Sequence, residues 1–177
     1  MTLKYPSGSI QFGSEECSAS STWKEKHYGA KAALPGATWF WCPIKNQKKS
    51  YWWISFKEKP VRIVSIEFEE QEYVGSQFEF FAAETEKATS GKVFIRGTQE
   101  EISGIEFEND QSYRYYGLAI MKSESKNYAS LKNFRYSVFG KWQWHDIALV
   151  NDRAKMKKKQ GWIRGYLSRL RVGRGYT

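Results

Sequence analysis

Apolar and polar side chains alternate in short runs along most of the chain. "YWWISFK" sets Trp52, Ile54 and Phe56 on one face of an extended segment and Tyr51, Trp53 and Ser55 on the other, which is the period-two pattern of a half-buried strand. After the break at Glu58-Lys59-Pro60, "VRIVSIEFEE" opposes Arg62, Val64, Ile66 and Phe68 to Val61, Ile63, Ser65 and Glu67, so its first half is apolar on both faces. Further runs follow in "QFEFFAAE", "KVFIRGT", "ISGIEFEN", "YRYYGLAIMKS" and "LKNFRYSVFG", and one or two more strands fit before Trp23. About eight short strands at a spacing of roughly 10 to 15 residues predict an all-β fold, an eight-stranded antiparallel jelly-roll β-sandwich. No helical period interrupts this pattern in the body of the chain.

Composition agrees. With 177 residues and 41% hydrophobic content, the chain is long enough for one domain with one sizeable core. Its aromatic share of 17% favours strands, because flat rings pack well on a pleated surface.

Charge divides the chain. Of 28 Lys and Arg, nine lie from Asn151 onward, against the single acid Asp152 of 19 in all; the first 150 residues keep 19 basic and 18 acidic groups. The body is almost neutral and the net +9 belongs to the tail. Within it, Trp162, Ile163, Tyr166, Leu167 and Leu170 fall on one side of a helical wheel. Gly161 and Gly165 each cost such a helix about 1 kcal/mol relative to Ala, so a helix formed on contact with a partner is expected. The predicted organisation is a sandwich over residues 1–145 and a basic amphipathic extension over 146–177.

The start "MTLKYPSGSIQFGSEE" has neither the charged opening nor the apolar stretch of a signal peptide, and no run is long and apolar enough to span a bilayer. A cytoplasmic location is the expectation. Cys17 and Cys42 make no metal-ligand pattern; they either pair or, in a reducing compartment, stay as free thiols.

Several short motifs now gain an order. Ser20-Ser21, Gly29-Ala30, Ala33-Leu34, Gly36, Thr38 and Lys59-Pro60-Val61 occur in succession, and "ASLKNFRYSVFG" closes the body. Over about Ile10 to Gly140 this succession resembles the discoidin family, also called coagulation factor V/VIII type C domains. The resemblance implies an eight-stranded jelly roll whose loops at one end bind carbohydrate, phospholipid headgroups or a protein partner, with no chemistry of its own. Where the family usually has an Asp that often binds a structural calcium, this chain has Pro35, and no acid follows before Trp41. Calcium needs several oxygen ligands, so no metal and no other cofactor is expected, and Pro35 is expected to stiffen the turn through its fixed φ. Gly36 would turn the chain, and Trp39 or Trp41 would fill the core.

The same resemblance directs attention to the loops. "STWKEKHYG" brings Trp23, Lys24, Lys26, His27 and Tyr28, where rings offer an apolar platform and lysines offer charge; the alternative is that Trp23 caps the sandwich end beside solvated lysines. Trp41 and the following Lys45, Lys48 and Lys49 make a second candidate binding loop, facing an anionic partner or only water. In "ENDQSYRYYG", Arg114 and Tyr116 suit hydroxyl or carboxylate recognition, although Asn-Asp turns are also ordinary hairpin chemistry. In the tail, Lys157, Lys158, Lys159, Trp162, Arg164, Tyr166 and Arg169 would add a second contact.

Catalysis has little support. His27 and His145 are the only imidazoles, and no hydrolase elbow, zinc-protease helix or P-loop motif occurs. The sequence therefore predicts a binding or scaffold module that is not an enzyme, recognising a protein partner or a glycan through loops at one end. Alternatives are a lectin acting outside the cell, and a tail that binds an anionic membrane surface or nucleic acid.

Overall fold

The computed structural model describes Leu3–Lys4 and residues 15–140. Eight strands follow in chain order: β1 Leu3–Lys4, β2 Glu15–Ala19, β3 Lys49–Phe56, β4 Ile63–Glu69, β5 Gln77–Ala83, β6 Lys92–Thr98, β7 Tyr115–Met121 and β8 Lys132–Gly140. They form a five-stranded sheet in the order β2-β3-β7-β5-β6 and a three-stranded sheet in the order β1-β8-β4. The pairs β2–β3, β3–β7, β5–β7, β5–β6 and β4–β8 are all antiparallel. This is the expected all-β sandwich. The compact unit that carries it is Lys4–Phe139, and the basic extension predicted over 146–177 lies outside the described residues.

One core fills the space between the sheets. Trp52, Ile54 and Phe56 of β3 point into it as the alternation requires, with Phe78, Phe80 and Ala82 of β5 and Tyr116, Leu118 and Ile120 of β7. Ile63, Ile66, Phe68, Phe134, Tyr136 and Val138 meet them from the smaller sheet. Trp52 reaches across the seam to lie 4.7 Å from Phe134 between centroids, and within the larger sheet Phe80 stacks on Tyr116 at 5.4 Å with 5° between planes. Such pairs each add about 0.5–1.5 kcal/mol beyond their burial.

Strand β4 departs from strict alternation. Ile63 lies opposite Val138 but Ser65 lies opposite Ser137, so Val64 is an extra residue on β4. That bulge switches faces, which puts both Ile63 and Ile66 in the core. A second bulge, on β8, coincides with Asn133 at φ 54°, in the left-handed region that Asn tolerates better than most residues.

Three single-turn helices complete the described part: α1 Glu25–Tyr28, the 3-10 turn η1 Ala30–Ala33, and α2 Gln99–Ile102. "ISGIEFEN" is therefore not a strand. Its first residue ends α2, and only Glu106 makes an isolated bridge, with Ser65. Four-residue helices are too short to print a helical period on the sequence.

Register fixes what each end holds. Met121 of β7 lies opposite both Lys49 and Gln77, whereas Tyr115 lies opposite Ser55 and Ala83. Connections 20–48, 70–76 and 122–131 thus gather at one end, and 57–62 and 84–91 at the other.

Candidate functional site

The loop end is tied down by its backbone. Trp23 N–H donates to Cys42 O at 2.8 Å, Cys42 N–H to Tyr28 O at 3.3 Å, and Asn46 N–H to Asn127 O at 2.7 Å. Ser21 Oγ donates to the Gln47 carboxamide oxygen and accepts from Ile44 N–H at 3.2 Å. The 70–76 loop turns on Glu70, whose carboxylate accepts from Gly75 N–H at 3.0 Å and Ser76 N–H at 2.9 Å. Buried Ser130 closes it, its hydroxyl donating to Tyr73 O at 3.2 Å and accepting from Gln71 N–H at 2.9 Å.

On this frame the aromatic residues of three connections form a continuous ring surface. Trp23 lies 4.9 Å from Tyr28 and 5.4 Å from Tyr128. Tyr28 lies 5.6 Å from Trp39 and 5.2 Å from Phe40, and Tyr73 joins Phe40 at 6.2 Å to Tyr128 at 5.0 Å. His27 stands at the rim, edge-on to Trp39 at 5.6 Å. Phe40 is buried beneath, Trp23, Tyr28, Tyr73 and Tyr128 are half-buried, and Trp39 keeps 45% of its surface in solvent. Helix α1 sets the arrangement. Lys24 enters it at φ 59°, and its carbonyl accepts from both His27 and Tyr28 N–H at 3.0 Å. The Lys24 ammonium rests 4.7 Å from the Trp23 ring centroid, so that ring is already covered by a cation–π contact. Partial burial and the Glu72 carboxylate hold the Tyr73 phenol above its usual pKa.

The first candidate loop is therefore brought together: Trp23, Lys24, Lys26, His27 and Tyr28 share this end. Lys45, Lys48 and Lys49 stand exposed on neighbouring positions of the same end. Three other candidates are corrected. Trp41 is wholly buried; its backbone bridges Leu131 and its indole N–H donates to Ser21 O at 3.2 Å, so it is the plug and no external ligand reaches it. Tyr116 is also wholly buried, since it faces the core on β7. Arg114 sits at the opposite end, where its guanidinium donates to Phe56 O at 3.1 Å and Lys57 O at 2.6 Å and serves to hold the end of β3. The tail candidates Lys157, Lys158, Lys159, Trp162, Arg164, Tyr166 and Arg169 lie outside the described residues.

Tyr73 and Tyr128 were not among the residues expected from the sequence, which also left open whether Trp39 or Trp41 fills the core. The available signal was an isolated aromatic residue inside a turn-rich polar segment, "QEYVGS" and "SKNYAS".

The Pro35 turn lacks the carboxylate that the resemblance would associate with calcium. Gly36 takes φ +90° there, Ala30 to Trp41 holds no carboxylate, and among the described residues no group of three or more His, Cys, Asp or Glu converges. Cys17 and Cys42 are free thiols. Burial, and then nearby glutamate charge, pushes both up to about 12, far from the range of a reactive thiolate. No described helix is long and apolar enough to cross a membrane.

No protein-family model matches the sequence, and no curated protein matches it. Solved structures do. The chain is similar to a chitosan-binding module of a chitosanase/glucanase from Paenibacillus sp. IK-5, at 13% identity and TM-score 0.55 over 70% of this chain and 94% of that one. It is similar to an F5/8 type C domain from Bacteroides fragilis, at 14% identity and TM-score 0.51 over 77% and 98%. A carbohydrate-binding module from Clostridium perfringens, solved in complex with GalNAc-β-1,3-galactose, aligns at 12% identity and TM-score 0.52 over 70% and 95%. The chain has the galactose-binding-like discoidin fold that its sequence resembles.

Proposed function

We propose that this domain is a non-catalytic glycan-binding module whose site is the ring surface around Trp39, His27 and Trp23. The observation that carries the reading is the exposed indole of Trp39, backed by Tyr28 and flanked by the His27 imidazole, at the end where the connecting loops converge. An exposed ring with a polar rim suits a pyranose, whose C–H face stacks on the indole while its hydroxyls bond to the rim groups. His27, with both a donor and an acceptor nitrogen in its neutral form, and the ammonium of Lys26 supply that rim. The ring surface is held by backbone hydrogen bonds and ring contacts, so little order has to be gained on binding. Two aligned modules, one chitosan-binding and one solved in complex with GalNAc-β-1,3-galactose, agree with this reading.

A glycan array probed with the full chain tests it. Saturable binding to a defined set of sugars, competed by the free sugar, is the expected result. A blank array together with selective capture of a protein would replace the glycan with a protein partner.

A further inference from the structure

A second feature of the loop end lies outside the ring surface. Lys122 N–H donates to Lys48 O at 3.0 Å, and Lys49 lies opposite Met121, so three lysines start from adjoining backbone positions. Like charges facing one another across strands destabilise a sheet. Among the described residues no carboxylate lies within ion-pair distance of Lys48, Lys49 or Lys122, in contrast to Lys57, Lys92 and Arg96, which pair with Glu16, Asp110 and Glu79. Lys49 rests over the Tyr51 ring at 5.5 Å, and Lys122 reaches only the Ser123 carbonyl at 3.4 Å.

Lys48 and Lys122 border an open cavity. A space of about 760 Å³ is lined by Lys48 and Lys122 with Asn46, Gln77, Met121 and Ser123, and by one carboxylate, Glu124. Gln77 and Met121 also line a separate trough of about 360 Å³ along the sheet, where Lys49 and Arg96 stand with the carboxylates Glu79 and Glu101. Met121 offers an apolar floor with 43% of its surface exposed, and the amides and hydroxyl around it can bond to sugar hydroxyls. The hydrogen bond between Asn46 and Asn127 joins this cavity to the loop that carries Tyr128 of the ring surface.

We propose that Lys48 and Lys122 form an anion subsite that takes the carboxylate or sulfate group of an acidic glycan, one sugar unit of which stacks on the ring surface. The inference rests on the glycan reading above and narrows it to an acidic chain. Compact ammonium groups suit a sulfate or carboxylate approached from several directions, whereas a planar fork would demand one bidentate geometry.

Calorimetric titration of the full chain tests this, with oligogalacturonate as the carboxylate probe, a heparin-derived oligosaccharide as the sulfate probe, a neutral galacto-oligosaccharide, and an oligonucleotide of equal charge. Lys48→Ala and Lys122→Ala should each weaken binding of at least one acidic sugar about tenfold. Neutral-sugar binding should stay unchanged in both variants, as should acidic-sugar binding in the control Lys59→Ala, whose lysine sits at the opposite end. Equal losses in the control, undiminished acidic-sugar binding in a Lys48→Ala/Lys122→Ala double variant, or an oligonucleotide that depends on the same lysines and binds more tightly would each overturn the proposal. Trp39→Ala separates the two claims. If it spares both sugar classes while the lysine variants lose the acidic one, the ring-surface reading fails and the anion site survives.

Discussion

The phenol of Tyr116 donates to Val61 O at 2.7 Å and accepts from the Asn109 amide at 3.3 Å, deep inside the sandwich. Asn109 in turn donates to Ile63 O at 2.9 Å, so one buried network ties the start of β4 to the loop before β7. A polar group placed there is a structural joint. Tyr116→Phe should leave the Val61 carbonyl, the Ile63 N–H and one Asn109 amide proton with poorer partners and lower stability by about 1–3 kcal/mol. Chemical denaturation measures that loss, and sugar affinity should not change.

Ionisation extends the same point. Burial lifts Tyr116 from 10.0 to about 12, and Cys17 and Cys42 from 9.0 to about 12. All three are neutral when protonated, so the fold favours the protonated form. Above pH 9 the unfolded chain releases protons that the folded chain retains, and the slope of stability with pH is negative there. Stability should therefore hold up to about pH 9 and fall steadily toward pH 12, as read from denaturation midpoints. Cys42→Ala should make the decline shallower, because one of the three linked groups is gone.

Gly117 shows how tightly the outer face of the larger sheet is packed. A β-carbon on it would collide with Cζ of the buried Phe81 ring and lie 2.9 Å from Cε1. Gly117→Ala should cost about 1–3 kcal/mol through overpacking. The thermal midpoint is the readout. A neutral result would mean that the Phe81 ring can swing aside.

Calcium gives a prediction of the opposite kind. With Pro35 where a carboxylate would be needed and no acid from Ala30 to Trp41, the turn is expected to rely on the fixed φ of Pro35 in place of an ion. Neither added calcium nor a chelator should move the melting temperature. A rise of several degrees with calcium would show that other oxygens bind the ion.

Much of this architecture can be read directly from residue order. Trp52, Ile54 and Phe56 alternate with Tyr51, Trp53 and Ser55, and the strand follows, because burial on one face imposes period two. Strand β4 resisted the same reading, since the extra residue at Val64 reverses the faces and a bulge leaves no trace in a hydropathy pattern. "TWFWCP" was ambiguous for a related reason. The chain there is irregular, so no period says that Trp41 goes in and Trp39 stays out; the isolated bridge to Leu131 decides it. The ring surface was half legible. Trp23 to Tyr28 announce themselves as one segment, but Tyr73 and Tyr128 arrive from other connections through strand order. Arg114 misled because its chemistry suits a ligand equally well, and only register places it at the far end.

The claim on which the account turns is that Trp39 is the sugar platform. A calorimetric titration of the wild-type chain, Trp39→Ala and Arg114→Ala with the best sugar from the array tests it most directly. Loss of a stacked, exposed indole should weaken binding by about tenfold or more while leaving the melting temperature within a degree or two. Arg114→Ala should bind as the wild type does. Unchanged affinity in Trp39→Ala, or a loss confined to Arg114→Ala, would contradict the account and move the site to the other end of the sandwich.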